Sequence, residues 1–224
     1  MMIRNPRQLD LNRRAFCGLA TFGLAGFLFP LSGISGVASA DPLERFFSEV
    51  RTLHATFRQT VLTDDLKPID ESDGELWLSR PGRFRWNYGN PLEQVVMADG
   101  EHLWVYDPGL EQAVVRDQDD ALGDTPAGLL AGDTDLNRSY LVERLGHQAG
   151  IYWVSLFPKD ANAAFSQIQF GFESDTLRLV QMLDPLEQIT RIRFAGVKVN
   201  TEFAAELFRL SLPQGTDVIR EDNR

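Results

Sequence analysis

The sequence predicts a mainly β protein: a strongly curved antiparallel sheet or incompletely closed barrel, with helices forming a lid over a hydrophobic cavity. Three observations predict it. Roughly ten short segments alternate apolar and polar residues at the period of a strand. Turn signals such as Pro81-Gly82, Asp99-Gly100 and Pro108-Gly109 join them closely. The clearest helical stretches, residues 41–51 and 125–132, are small and apolar on one face, a size that plugs one side of a sheet.

Taken in order, DPLERFFSEVR (41–51) places Leu43, Phe46, Phe47 and Val50 on one helical face. From Leu53 the period becomes two. Leu53, Ala55, Phe57, Gln59 and Val61 alternate with His54, Thr56, Arg58 and Thr60, which predicts a strand. Residues 63–74 read as an acidic loop leading into a hairpin, ELWLSRPGRFRWNY (75–88), with Pro81-Gly82 as its turn. In its second arm Phe84, Trp86 and Tyr88 share one face, while Arg83, Arg85 and Asn87 face the other way, toward solvent. Further strands are expected at 93–98, 102–107, 111–116, 139–145, 151–157, 165–172, 177–183, 188–199 and 207–213. The polar stretch 117–138 encloses the short helix, with Thr125 as N-cap, Pro126 in its first position and Gly132 ending it. Another short helix fits 201–207.

The N-terminus speaks to compartment. Arg4, Arg7, Arg13 and Arg14 precede an apolar run, and Ala38-Ser39-Ala40 is a small-residue cleavage site, so residues 1–40 read as a signal peptide and 41–224 as one mature domain. The twin arginine in NRRAF (12–16) is a partial signal for the folded-protein export route beside ordinary secretion. Cys17, the single cysteine, falls inside this leader and outside a lipidation context, so the mature chain is expected to have no disulfide and no lipid anchor. The leader carries four Arg and one Asp, so 22 basic and 32 acidic side chains fall to 18 and 31, a net of −13. That balance argues against nucleic acid and against anionic headgroups as partners.

Chemistry is sparse. His54, His102 and His147 are far apart and in no metal-ligand spacing, and neither a nucleophile motif nor a phosphate loop occurs. DTDLN (133–137) begins like a calcium loop but has Arg138 where glycine is needed and Arg144 where the bidentate glutamate belongs. No metal, no cofactor and no enzymatic activity are expected. What the chain offers is aromatics on a curved sheet. A packed core and a pocket wall share this periodicity, and pattern alone favours ordinary core for most of them.

The strings GELWLSRPGRFRWNYGNPLEQVVMADGEHLWVYDPGLEQAVV (74–115), TPAGLL (125–130) and LFRLSLPQGTDVI (207–219) resemble the periplasmic lipoprotein carrier family LolA. The resemblance implies an unclosed antiparallel barrel with a helical lid over a hydrophobic cavity. It implies a soluble carrier that takes acylated lipoproteins from an inner-membrane ABC transporter and hands them to an outer-membrane receptor, and we expect it to act as a monomer. The arginine of the Arg-Pro motif, here Arg80, would latch the lid by bonding carbonyls of Leu129, Leu130 and Ala131. Phe84 and Trp86 would line the cavity, and Phe57, Trp77, Trp104, Leu129 and Leu130 are expected there with them. Ala127-Gly128 is a smaller lid face than some members carry. Rival readings are a carrier of another lipid and an envelope-stress sensor of the same fold.

Overall fold

A computed structural model of the protein describes residues 41–89, 91–118, 126–132 and 136–221. The expected leader, the Thr125 cap and the start of the DTDLN stretch lie outside them. Twelve strands form one sheet: β1 (Thr52–Leu62), β2 (Pro68–Ser79), β3 (Arg83–Tyr88), β4 (Val95–Ala98), β5 (His102–Asp107), β6 (Gln112–Asp117), β7 (Tyr140–Gln148), β8 (Ile151–Pro158), β9 (Gln167–Glu173), β10 (Thr176–Leu183), β11 (Ile189–Val199) and β12 (Asp217–Glu221). Their spatial order is β12-β6-β5-β4-β3-β2-β1-β11-β10-β9-β8-β7. The ends of that order do not meet, so the curved sheet stays open, as expected. Every neighbouring pair is antiparallel except β12 on β6, which is parallel.

Three α-helices are described: α1 (Pro42–Glu49), α2 (Pro126–Ala131) and α3 (Leu136–Ser139), together with a 3-10 turn over Ala205–Phe208. α1 begins where Asp41 accepts the Glu44 N–H at 2.8 Å and Pro42 presets the first turn. It buries Leu43, Phe46 and Phe47, three of the four residues on the expected face, while Val50 caps its end in extended conformation.

Around β3 to β6 side chains on both faces of the sheet are buried. Register fixes which side chains share a face: Leu76 lies opposite Trp86 and Leu78 opposite Phe84, while Trp77 lies opposite Arg85. The inner face carries one core that joins Leu53, Phe57, Leu76, Leu78, Phe84 and Trp86 to Phe170, Phe172 and Phe194 from the other half. On the outer face, Met97, Ala113 and Val115 are buried outside that core. Beside them runs the 201–213 segment. There Phe208 is buried, its ring lies 5.4 Å from the Arg83 guanidinium, and the Leu207 carbonyl accepts from Arg85 Nη1 at 3.3 Å. The outer face of the second half is polar instead. Gln169 donates to Ser155 at 3.1 Å, Gln181 to Gln169 at 3.1 Å, and Arg191 to Gln181 at 2.9 Å, a ladder across β8 to β11.

Three expectations are corrected here, and one strand is added. Residues 207–213 are not a strand: their alternation reflects one apolar side laid on the outer face. The last strand is β12, whose residues are all exposed and are recruited by main-chain pairing rather than by an apolar pattern. The loop expected over 63–74 closes by residue 68, because Asp70 to Asp73 pair with β1 where the ribbon is largely solvated. Arg83 and Arg85 do not face open solvent, since the 205–208 turn lies over them.

Candidate functional site

Gly82 makes the hairpin turn that sets the site. Its φ of +68° suits glycine, and an added Cβ would sit 2.7 Å from the buried amide of Gln118. The turn delivers Arg80 to the inner side, 8% exposed. Arg80 Nε and Nη2 both donate to the Leu130 carbonyl, at 3.1 and 2.8 Å. Its Nη1 donates to Phe46 and Val50 carbonyls at the end of α1, at 2.9 and 2.6 Å. The guanidinium also lies 4.7 and 4.6 Å from the ring centroids of Phe46 and Phe47. Five donors and no acceptor make arginine the side chain able to satisfy two helix ends at once. Burial, with a lesser contribution from the nearby Arg51 charge, pulls the Arg80 pKa down to about 10. The group still carries its proton at neutral pH.

These bonds differ from the expected latch contacts in two respects. Among the lid carbonyls, Leu130 alone accepts from the Arg80 side chain. Ala131 instead accepts from the Gly82 main-chain N–H at 3.0 Å, and no Arg80 bond reaches Leu129. Two of the four hydrogen bonds, and both ring contacts, go to α1, which sequence reasoning missed. The signal was present in the apolar face of 41–51, but periodicity gives no partner.

Below the helices lies an aromatic floor. The rings of Phe57 and Trp86 are 4.6 Å apart, Phe57 and Tyr88 5.4 Å, and Trp86 and Phe194 6.4 Å. Gly74 makes room for them: a Cβ there would stand 1.9 Å from the Asn87 carbonyl oxygen and 3.0 Å from the Phe57 ring. From the other half, Phe172 meets Phe46 and Phe170 meets Phe47, each at 6.0 Å. Leu130 and Ala131 are fully buried against this core, and Leu129 packs partly buried on it. The indole N–H of Trp86 is buried without an acceptor among the described residues.

The structure thus brings together Phe57, Arg80, Phe84, Trp86, Leu129, Leu130 and Ala131. It does not bring Trp77 or Trp104 with them. Strand alternation turns both to the outer face, where Trp77 stacks on His54 at 5.1 Å and Trp104 donates to Asp99 at 3.0 Å. The expected cavity is filled: Phe57, Phe84, Trp86 and Leu130 are each at most 4% exposed. Space remains beside α1, in pockets of about 520, 290 and 270 Å³.

The chain that builds this site has counterparts among known sequences. A family model described as "Outer membrane lipoprotein carrier protein LolA" matches residues 48–211. The chain belongs to the LolA family. The outer-membrane lipoprotein carrier protein of Dechloromonas aromatica is 36% identical over 194 residues, 87% of this chain and 92% of that one. Its counterpart in Nitrosospira multiformis is 39% identical over 180 residues, 80% of this chain and 87% of that one. An uncharacterized conserved protein from Thermus thermophilus shares the fold at a TM-score of 0.51 and 12% identity, covering 81% of this chain and 96% of that one. Within this LolA-family chain the helical cap sits closed on the inner face.

Proposed function

We propose that this protein is a periplasmic carrier that shields the acyl chains of lipoproteins between an inner-membrane transporter and an outer-membrane receptor, without catalysing a reaction. Membership of the LolA family supports the cargo class. The observation that carries the mechanism is the Arg80 grip on Leu130, Phe46 and Val50, which ties two helices shut over the aromatic floor. Phe57, Phe84, Trp86, Leu129 and Leu130 are the residues that acyl chains would meet once the helices lift.

Magnitudes give the mechanism its form. At about 0.8 kcal/mol per buried CH₂, one long acyl chain in water costs on the order of 10 kcal/mol. Full burial of three would exceed the practical ceiling of reversible binding, roughly 18–21 kcal/mol. A closed, well-packed empty state supplies the opposing term. To bind, the acyl chains must displace helix-to-floor contacts, and the net affinity falls into a reversible range. A charge-assisted latch of about 1.5–3 kcal/mol biases closure without preventing release.

The experiment is release from spheroplasts. Purified residues 41–224 are added to spheroplasts holding newly made lipoproteins, and the supernatant is assayed for bound acylated products. Release of triacylated substrate, but not of a Cys→Ala unlipidated form, is the expected result. Failure to release either, with folded protein and transporter present, would overturn the lipoprotein reading.

A further inference from the structure

α1 is held at both ends, by groups of different chemistry. At its C-terminal end Arg80 meets neutral carbonyls in a buried setting. At its first turn the partners are carboxylates. Arg144, on β7, bonds Asp41 through Nε and Glu44 through Nη2, the latter at 2.5 Å. Arg45, on α1 itself, pairs with Asp175 in the β9–β10 turn. These contacts fasten the helix to the half of the sheet that Arg80 does not reach.

The fastenings stand at the rims of the remaining space. The 520 Å³ pocket has Leu43, Phe47, Leu136 and Val142 in its walls and Glu44 and Arg144 at its edge. The 290 Å³ pocket, on the opposite flank of α1, has Phe46, Leu53, Leu177 and Val197 in its walls, with Arg45 and Asp175 at the edge. The 270 Å³ pocket lies at the N-terminal end and includes the same Arg45–Asp175 pair. Only Leu43, Phe46 and Phe47 of the helix are buried between them. Lifting one short helix at its first turn would join the three spaces.

We propose that Arg144 is a second latch, a positioning residue that holds the N-terminal turn of α1 down, and that its release opens the flanking pockets into one acyl-binding channel. The proposal rests on the carrier reading and adds the part that moves and the charge that restrains it. It also gives the two latches different signatures. The Arg144 side chain is 47% exposed, so its pairs are screened by salt, whereas the buried bonds of Arg80 to carbonyls are screened much less. Closure therefore has a salt-sensitive component that maps to Arg144.

The test uses the mature chain and a fluorescent fatty acid whose emission reports an apolar site. Affinity is measured at about 0.01 M and about 1 M salt, where the screening length falls from about 30 to about 3 Å. In the unaltered protein, affinity rises with salt. Arg144→Gln binds about two- to fivefold more tightly at low salt and loses part of the salt response, the exposed Arg45–Asp175 pair keeping the rest. Arg144→Lys retains the response. Asp41→Asn, which keeps an N-cap but removes the charge, behaves like Arg144→Gln and decides the matter if that variant fails to fold. Equal affinity and equal salt response in Asp41→Asn, Arg144→Gln and the unaltered protein would overturn the latch while leaving the carrier reading intact. No binding by the unaltered protein, together with no lipoprotein release from spheroplasts, would overturn the carrier reading and the latch with it.

Discussion

Arg80 grips Leu130 with two nitrogens on a single carbonyl oxygen, at 3.1 and 2.8 Å, while its remaining Nη holds α1. No carboxylate bonds this buried cation among the described residues, so its stabilisation comes from carbonyl dipoles and two aromatic rings. Arg80→Leu should keep uptake of acylated cargo but slow hand-off to the receptor, by about tenfold or more for a lost bond set of about 1.5–3 kcal/mol. Arg80→Lys should not restore transfer, because one ammonium cannot span both helix ends. Unchanged hand-off in Arg80→Leu would remove the latch.

Trp86 is the one tryptophan within the inner core, since Trp77 and Trp104 lie on the outer face and Trp153, opposite Gly171, lies there too. A variant retaining only Trp86 should show strong quenching on binding a brominated fatty acid. Variants retaining only Trp77 or only Trp104 should show little. Quenching of Trp104 alone would place the ligand on the wrong side of the sheet for the function proposed.

Tyr88 carries a pH prediction. Burial pushes its phenol up to about 12, against a weaker opposing bond from Gln59. In the unfolded chain the phenol ionises near its ordinary value of about 10. Its neutral form is therefore favoured by folding, a contribution fully present below about pH 10 and lost as pH rises toward 12. Burial raises the Tyr140 phenol as well, so alkaline titration by phenolate absorbance should find two tyrosines that ionise late, and Tyr88→Phe should remove one of the two while flattening the loss of stability above pH 10.

Gly74 sits where an added methyl would stand 1.9 Å from the Asn87 carbonyl oxygen. Main chain cannot yield that distance without disturbing the β2–β3 pairing and the Phe57–Tyr88 contact. Gly74→Ala should destabilise the fold by about 3 kcal/mol, read as a lower urea midpoint. Gly150→Ala, with open space around it, separates this from strain alone, since its positive φ is strained without a clash.

Most of the architecture was legible because strand alternation and turn residues are local properties. β5 runs from His102 to Asp107, as its alternation indicates. The faces of β2 and β5 were harder. Trp77 sits between Leu76 and Leu78, and Trp104 between Leu103 and Val105, so both faces look apolar. The outer face gains its own partners from afar: residues 205–210 share a recess with Trp104, and Trp77 stacks on His54, long-range facts with no local trace. The same limit hid the α1 half of the Arg80 site. Its acceptors are main-chain carbonyls, which every residue has, and only the fold chooses Phe46 and Val50.

The floor beneath the helices is already occupied by the protein's own rings, Phe46 and Phe47 resting on Phe172 and Phe170. An empty carrier of this kind is the relaxed form and a loaded one is cocked. On the function proposed, work would be done on the protein at the donor membrane to part those rings. The same rings closing again would help expel the cargo at the acceptor, so the direction of traffic would be written partly in how comfortably the molecule sits with nothing to carry.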